Sequence, residues 1–173
     1  MSAIGGIISF EGASIDEEVL GRIAEGLETY GPDGGTHACL DSVAMIYRAF
    51  HTNLESRSEQ QPLLQDDCML AWDGRLDNRD ELMALLRHDL RGDHSDSAIV
   101  MAAYNKWGSD ALSRLIGDFA LSLWDSRSKT LLLARDPLGT RLLFYQTSAT
   151  GLIWSSRLES FLNLPDAKLA VDD

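Results

Sequence analysis

The apolar run at the amino terminus constrains the fold more than any other feature. Residues 3–10 read Ala-Ile-Gly-Gly-Ile-Ile-Ser-Phe, the length of a buried strand, with no signal-peptide charge ahead of them. Methionine is usually removed before a residue as small as serine, so we expect Ser2 to carry a free α-amine. Such an amine has a pKa of about 7.7–8.0, so part of it is a base beside the Ser2 hydroxyl. This predicts either an N-terminal nucleophile or a plain first strand with a trimmed end.

Charge and cysteine content exclude several classes of function. The chain has 27 acidic against 15 basic residues, a net charge of -12, which repels phosphate backbones and argues against a nucleic-acid partner. No apolar stretch approaches the ~20 residues of a membrane span, so we expect no membrane partner. Cys39 and Cys68 have no close-spaced partner, which is typical of reduced thiols in a cytoplasmic protein. The four scattered histidines show no metal-ligand spacing, and we expect no metal site.

Periodic patterns predict helices between two strand-rich halves. The predicted helix starts are a capping box at Ser14 and Glu17, a cap at Asn78 with Glu81, and Ser95 or Asp96, with a last short helix at 156–162. The predicted strands are 3–10, 36–40, 43–50, 68–72, 119–124, 130–134, 142–146 and 152–154, with a polar loop at 51–61. Asp73-Gly74 and 136–139 are predicted turns. The pattern favours an α+β sandwich of two antiparallel sheets covered by helices.

Several ordered motifs carry a family resemblance. They are Met1–Ile7, Tyr30–Gly34, Trp72–Asn78 and Leu133–Gly139, with Ser95-Asp96 and Gly117–Asp125 between them. In this order the chain resembles the N-terminal domain of asparagine synthetases, the class II, N-terminal-nucleophile glutamine amidotransferase domain. The resemblance implies a four-layer αββα sandwich over residues 1–163. We interpret the acidic, aperiodic residues 164–173 as a linker toward a synthetase domain absent from this sequence.

Three positions depart from the residues that this family uses for catalysis. Ser2 stands where the family has a cysteine nucleophile, and a hydroxyl needs a stronger base than a thiol. Asp73 stands where an asparagine amide, with the backbone N–H of Gly74, forms the oxyanion hole. An ionised aspartate cannot donate, and losing one such donor costs about 2.7–4 kcal/mol. Arg75 replaces the glutamate that helps to hold the α-amino group of glutamine, so repulsion replaces attraction.

Two positions keep the family's residue types. Arg48 matches the arginine that binds the α-carboxylate of glutamine, and Asp96 matches the aspartate that receives its α-amine. Both also have a structural interpretation: Asp96 stands where a helix N-cap belongs, and Arg48 could pair with an acid such as Asp96.

The resemblance leads to one favoured function and two alternatives. The favoured hypothesis is a non-catalytic domain that packs against the synthetase domain of an ATP-dependent, amide-forming enzyme, such as relatives of β-lactam synthetases or lasso-peptide cyclases. The first alternative is an active, Ser2-dependent glutaminase or amidohydrolase that supplies ammonia for asparagine synthesis, with L-glutamine as a ligand. The second is a free-standing protein recruited to a separate synthetase. No Ser-Gly-Gly-x-Asp-Ser loop occurs, so no cofactor is expected here, and ATP and magnesium belong to the absent domain. The sequence leaves open whether the protein also forms a homo-oligomer.

Overall fold

The computed structural model describes residues 1–10, 14–52 and 59–164. In chain order the elements are β1 (Ala3–Ser9), α1 (Glu17–Leu27), β2 (Gly35–Leu40), β3 (Val43–Arg48), β4 (Leu63–Gln65), β5 (Cys68–Leu76), α2 (Arg79–Leu85), α3 (Asp96–Trp107), β6 (Gly117–Asp125), β7 (Thr130–Arg135), β8 (Phe144–Thr147), β9 (Gly151–Ser155) and α4 (Glu159–Leu162). Short 3-10 turns follow α1 at Glu28–Tyr30 and α3 at Gly108–Arg114. The predicted linker, from residue 165 on, and most of the predicted loop at 51–61 lie outside the described residues.

The strands form two antiparallel sheets. One sheet has five strands in the order β2-β3-β1-β9-β8, and the other has four in the order β4-β5-β6-β7. Strand β1 is central, with β3 on one side and β9 on the other. Because β1 pairs along both edges from its first residues, the amino terminus is fixed at one end of the larger sheet.

The two sheets pack face to face and carry helices on their outer faces. Apolar side chains of both sheets meet in the space between them. The larger sheet contributes Ile4, Ile8, Val43, Met45 and Trp154, and the smaller sheet contributes Met69, Ala71, Ala120 and Trp124. Helix α1 covers the outer face of the larger sheet through Leu20, Ile23 and Leu27, and α3 covers the smaller sheet with α2 beside it. Burying these alternating apolar faces is the main driving force for such layers. The predicted four-layer αββα sandwich is confirmed.

Two predicted capping arrangements do not form, although α2 begins directly after Asn78 as predicted. The capping box at Ser14 and Glu17 does not form, because Asp16 is the N-cap of α1 and its carboxylate accepts hydrogen bonds from the backbone N–H groups of Glu18 and Val19. Asn78 makes no side-chain cap for α2. Its amide instead donates to the carbonyl of Arg114 and accepts from the N–H of Ile116, so it ties α2 to the chain ahead of β6.

The predicted turn at Asp73-Gly74 is also wrong. Strand β5 runs straight through both residues, with Asp73 opposite Ala120 and Gly74 opposite Phe119 on β6. The strong turn preference of an Asp-Gly pair is overridden by the long pairing with β6. Gly74 is needed for a different reason: a Cβ there would lie 2.7 Å from the Trp72 ring and from Cβ of Phe119. The Trp72 and Phe119 rings stack at 5.2 Å across this glycine.

The predicted hairpin and the second turn are confirmed. Strands β6 and β7 pair from Ala120↔Arg135 to Asp125↔Thr130. Asp136 closes the turn at 136–139, because its carboxylate accepts from the backbone N–H groups of Leu138, Thr140 and Arg141. Several strand bounds differ from expectation: β3 ends at Arg48, β5 continues to Leu76, and β8 begins only at Phe144, while β4 is not among the predicted strands.

Gly6→Ala is expected to destabilise the fold. A Cβ at Gly6 would lie 2.3 Å from the Trp154 ring and 2.4 Å from the Ala44 carbonyl oxygen, and overpacking of this kind costs about 1–3 kcal/mol. The matched control is Gly21→Ala on the exposed side of α1, where nothing lies within 4 Å, which should stabilise by about 0.5–1 kcal/mol. Urea unfolding of both variants checks this. Equal effects would contradict the close packing of β1 against Trp154.

Candidate active site

Ser2 lies at the start of β1 on the face that looks toward the second sheet. Alternation along the strand puts it on the same side as Ile4 and Ile8. Its hydroxyl is buried, accepts a hydrogen bond from the backbone N–H of Phe50 at 3.0 Å, and lies 3.2 Å from the phenol oxygen of Tyr47. Burial raises the pKa of Tyr47 to about 12, so the phenol stays protonated and can donate to Ser2. The Ser2 hydroxyl is therefore engaged within the fold.

Asp73 faces Ser2 from the second sheet and is almost completely buried. It follows Met69 and Ala71 on the inner face of β5 and is 6% exposed. Burial raises the pKa of its carboxyl group to about 6, while Arg141, the α-ammonium group of Met1 and a hydrogen bond from the backbone N–H of Ser2 favour the ionised form. The carboxyl group is therefore mainly ionised at pH 7. Nothing in the sequence argues for so large a shift of this pKa.

Arg141 is the partner of Asp73, and sequence reasoning missed it. Its Nη1 lies 3.6 Å from Oδ1 of Asp73, and the side chain is largely buried. Its Nε has no hydrogen-bond partner within the described part of the chain. The turn at Asp136 brings this arginine back over the end of β6, because the Asp136 carboxylate binds the backbone N–H of Arg141. That turn was the sequence signal that could have drawn attention to it.

Arg75 is placed at the surface. Its guanidinium is 2.7 Å from Asp77 and 3.8 Å from Asp118, and its side chain is 62% exposed. These two acids hold its charge at the open end of β5. The preceding residue, Gly74, lies on β5 beside Asp73, as expected for an oxyanion-hole pair, but its open side is filled by Trp72 and Phe119.

Arg48 lies on the wrong face of the sheet to meet Ser2. It follows Ala44 and Ile46 on the outer face of β3, whereas Tyr47 between them points inward. Its Nη2 donates to the carbonyl of Ala24 in α1 at 3.2 Å. Because side chains alternate along a strand, no rotamer change brings Arg48 into the site.

Asp96 joins β5 to the helices. One carboxylate oxygen accepts from the backbone N–H of Leu76 at 3.0 Å, and the other forms an ion pair with Arg79. The cap of α3 is Ser95, so the interpretation of Asp96 as the N-cap is wrong. The pairing of Asp96 with Arg48 is wrong as well, since the two residues lie in different layers.

The structure thus brings together four groups: Ser2, Tyr47, Asp73 and Arg141. It places Arg48 on the far face of the sheet and the charge of Arg75 at the surface. Within the described ranges no group of three or more His, Cys, Asp or Glu side chains could hold a metal ion. No helix there is long and apolar enough to cross a membrane.

A serine at the head of a central strand, facing an Asp-Gly pair on the opposite sheet, is the layout that the sequence resemblance implies. Residues 1–173 match the glutamine amidotransferase domain family. The chain belongs to this family.

Curated relatives of this amidotransferase domain are named as asparagine synthetases. Asparagine synthetase [glutamine-hydrolyzing] 3 of Bacillus subtilis is 26% identical over 181 residues, covering 99% of this chain and 29% of that protein. A putative asparagine synthetase of Mycobacterium bovis is 36% identical over 110 residues, covering 60% of the chain and 16% of that protein. A probable asparagine synthetase of Dictyostelium discoideum is 32% identical over 133 residues, covering 73% of the chain and 23% of that protein. The chain therefore spans less than a third of the length of these relatives.

A solved structure supports the same fold. Glutamine phosphoribosylpyrophosphate amidotransferase from B. subtilis superposes with a TM-score of 0.67 at 19% identity, covering 92% of this chain and 42% of that one. At this identity the likeness concerns the fold.

Asp73→Asn is expected to stabilise the domain, and more so as the pH rises. The folded-state pKa of about 6 lies above the ordinary value of 3.8, so the folded state binds more protons between these values. The contribution of Asp73 to stability therefore falls as the pH rises through that window, and asparagine removes the loss. At pH 7 the gain should be on the order of 1–3 kcal/mol, since each pKa unit corresponds to about 1.4 kcal/mol. The attraction of Arg141 for the carboxylate already offsets part of the effect of burial on this pKa.

Urea unfolding between pH 4 and pH 7 measures this difference. The Glu25→Gln change at an exposed position of α1 serves as the control for the removal of a carboxylate. A constant difference for Asp73→Asn would contradict the buried, ionised carboxylate.

Proposed function

We propose that this domain has lost glutaminase activity and serves as a structural partner of a synthetase domain in an ATP-dependent, amide-forming enzyme. The observation that carries the proposal is the buried Asp73 carboxylate beside Ser2, where the family places a hydrogen-bond donor. Attack by a Ser2 alkoxide on an amide carbonyl turns the carbonyl oxygen into an anion. That anion requires donors preorganised around it.

An ionised Asp73 opposes this step in two ways. A carboxylate accepts hydrogen bonds and cannot donate, so the missing donor costs about 2.7–4 kcal/mol in the transition state, or 10²–10³ in rate. Its negative charge also repels the developing oxyanion, because burial leaves little water around Asp73 to screen it. Arg141 offsets part of that charge from 3.6 Å.

The base is affected as well. An N-terminal nucleophile needs an uncharged α-amine to take the hydroxyl proton. A carboxylate hydrogen-bonded to the Ser2 backbone nitrogen would stabilise the protonated form of a Ser2 amine once Met1 is removed. The Ser2 hydroxyl is meanwhile occupied by Phe50 and Tyr47, so it has a structural role that does not depend on catalysis.

Substrate binding would be weakened too. Arg48, the candidate for the α-carboxylate of glutamine, donates to α1 on the outer face of the sheet. Arg75 presents a cation where an acid should meet the α-ammonium group. Asp96 keeps the expected type, but Arg79 already neutralises it. L-glutamine therefore has no complete set of charged partners here.

The partner follows from the relatives. They are named as glutamine-hydrolyzing asparagine synthetases and are more than three times as long as this chain. We infer that the remaining machinery, with its ATP and magnesium, belongs to a synthetase domain, fused or separate. An enzyme of the β-lactam synthetase or lasso-peptide cyclase kind, which can use an internal amine, would not need ammonia from this domain.

A second candidate function is a slow, Ser2-dependent amidohydrolase. The observation that favours it is the raised pKa of Asp73, because a protonated carboxyl group can donate to an oxyanion. At pH 7 this candidate requires a protonated Asp73 together with an uncharged α-amine, and each is the minor form of its group.

Ammonia release from L-glutamine is expected to stay at background. The assay is run on the protein with and without Ser2→Ala, and the two should not differ, because the hydroxyl does not act as a nucleophile. Both samples need intact-mass analysis to establish whether Met1 is present. Turnover that Ser2→Ala abolishes would overturn the proposal.

A glutamine-analogue diazoketone separates the two candidates by chemistry. We expect no covalent adduct on Ser2 by mass spectrometry, whereas the amidohydrolase requires one. If Asp73→Asn then produces an adduct on Ser2, Asp73 itself is the block. An adduct on the unchanged protein favours the second candidate.

A further inference from the structure

A groove without charged side chains runs between the edge strand β8 and helix α4. Its volume is about 410 Å³. Its walls are apolar or aromatic except for one amide: Leu143, Phe144, Tyr145, Gln146, Leu158 and Phe161. In a chain with a net charge of -12, an uncharged surface of this kind is unusual.

Large side chains of the groove are exposed to solvent. Tyr145 is 67% exposed and Leu158 is 54% exposed, and Leu142 and Leu162 beside them are exposed as well. Single exposed apolar residues need no explanation, but a contiguous group of them marks an interaction surface. Aromatic residues such as Tyr145 are also the type enriched at the centres of protein interfaces.

The charged residues nearest the groove are turned away from it. The guanidinium of Arg157 lies 3.9 Å from the centre of the Tyr30 ring, and Glu159 accepts a hydrogen bond from the Tyr30 hydroxyl at 2.9 Å. Both contacts anchor α4 to the end of α1. The side of α4 that carries Leu158 and Phe161 is thereby left apolar.

Strand β8 is an edge of its sheet. It pairs with β9 on one side, and no other strand of the described residues pairs with it. An apolar edge strand that stays uncovered invites wrong association, and proteins usually cover such edges.

We propose that this groove is the surface on which a synthetase domain packs against the amidotransferase domain. The proposal rests on the partner proposed above but does not depend on whether glutaminase activity is lost. The named relatives align with this chain over 16–29% of their length, so most of each protein lies outside the aligned part and is available to cover such a surface. Residues that continue past Leu164 leave from the end of α4, one wall of the groove.

The composition of the groove fits the centre of an interface. A stable interface has a dry apolar centre and a polar rim. The groove supplies apolar and aromatic side chains, and Gln146 adds one polar group to its wall. A synthetase domain of the proposed enzyme would present a complementary apolar ridge.

Thiol labelling tests whether the groove is covered. The experiment uses the protein together with its synthetase domain, either on the same chain or co-expressed. The exposed Cys39 is first replaced by serine. Tyr145→Cys or the matched control Ile116→Cys is then introduced. Ile116 is 58% exposed and lies ahead of β6, outside the groove. At position 145 we expect labelling at least about tenfold slower than at position 116, because the centre of an interface is packed like an interior. Equal rates would overturn the proposal.

A second pair of variants identifies what covers the groove. Tyr145→Glu and Leu158→Glu should lower ATP-dependent amide formation and free the synthetase domain in limited proteolysis, while Ile116→Glu leaves both unchanged. If protection at position 145 instead disappears on dilution as a dimer dissociates, a second copy occupies the groove and the proposal is wrong. Ammonia release is measured on the same samples, so a failure of the proposed function is seen separately.

Discussion

The pairing of β1 on both of its edges is the constraint on which the rest of the structure depends. Six residue pairs join it to β3 and five join it to β9, so the chain's first residues form the middle of the larger sheet. Gly6 allows this because the Trp154 ring and the Ala44 carbonyl of the neighbouring strand approach closer than a Cβ would permit. Ser2 is consequently held between two sheets. Any reaction of Ser2 therefore takes place opposite the side chains that β5 places between the two sheets.

Strand β5 places the buried carboxyl group of Asp73 opposite Ser2. Asp73 and Arg141 form a buried pair at 3.6 Å, and a buried pair of this kind contributes little to stability while it fixes the local electrostatic field. That field favours cations near Ser2 and disfavours an oxyanion. The same fold that aligns a nucleophile and an oxyanion hole in an active amidotransferase can therefore persist without the reaction, since the layers are held by apolar packing elsewhere.

Site residues proved harder to predict than layers. The family resemblance placed Ser2 and Asp73 in one site, but the inward face of Tyr47 and the outward face of Arg48 depend on strand register. A register shift of one residue turns every side chain of a strand to the other face. The role of Arg141 could not be predicted because its ion-pair partner, Asp73, lies 68 positions away in the sequence. Asp96 was interpreted as a cap because it begins a helix, and its bonds to Leu76 and Arg79 arise only when α2, α3 and β5 meet.

The sequence by itself determined the layered α+β architecture, a buried first strand and the hairpin β6–β7, and the family resemblance added the loss of an asparagine donor at position 73. These are properties of local hydrophobic alternation, turn chemistry and residue identity. The tertiary structure decided that Asp73-Gly74 continues a strand, that the pKa of Asp73 rises to about 6, and that Arg48 faces α1. Burial, register and charge pairing are relations between distant residues, and they exist only once the two sheets have packed.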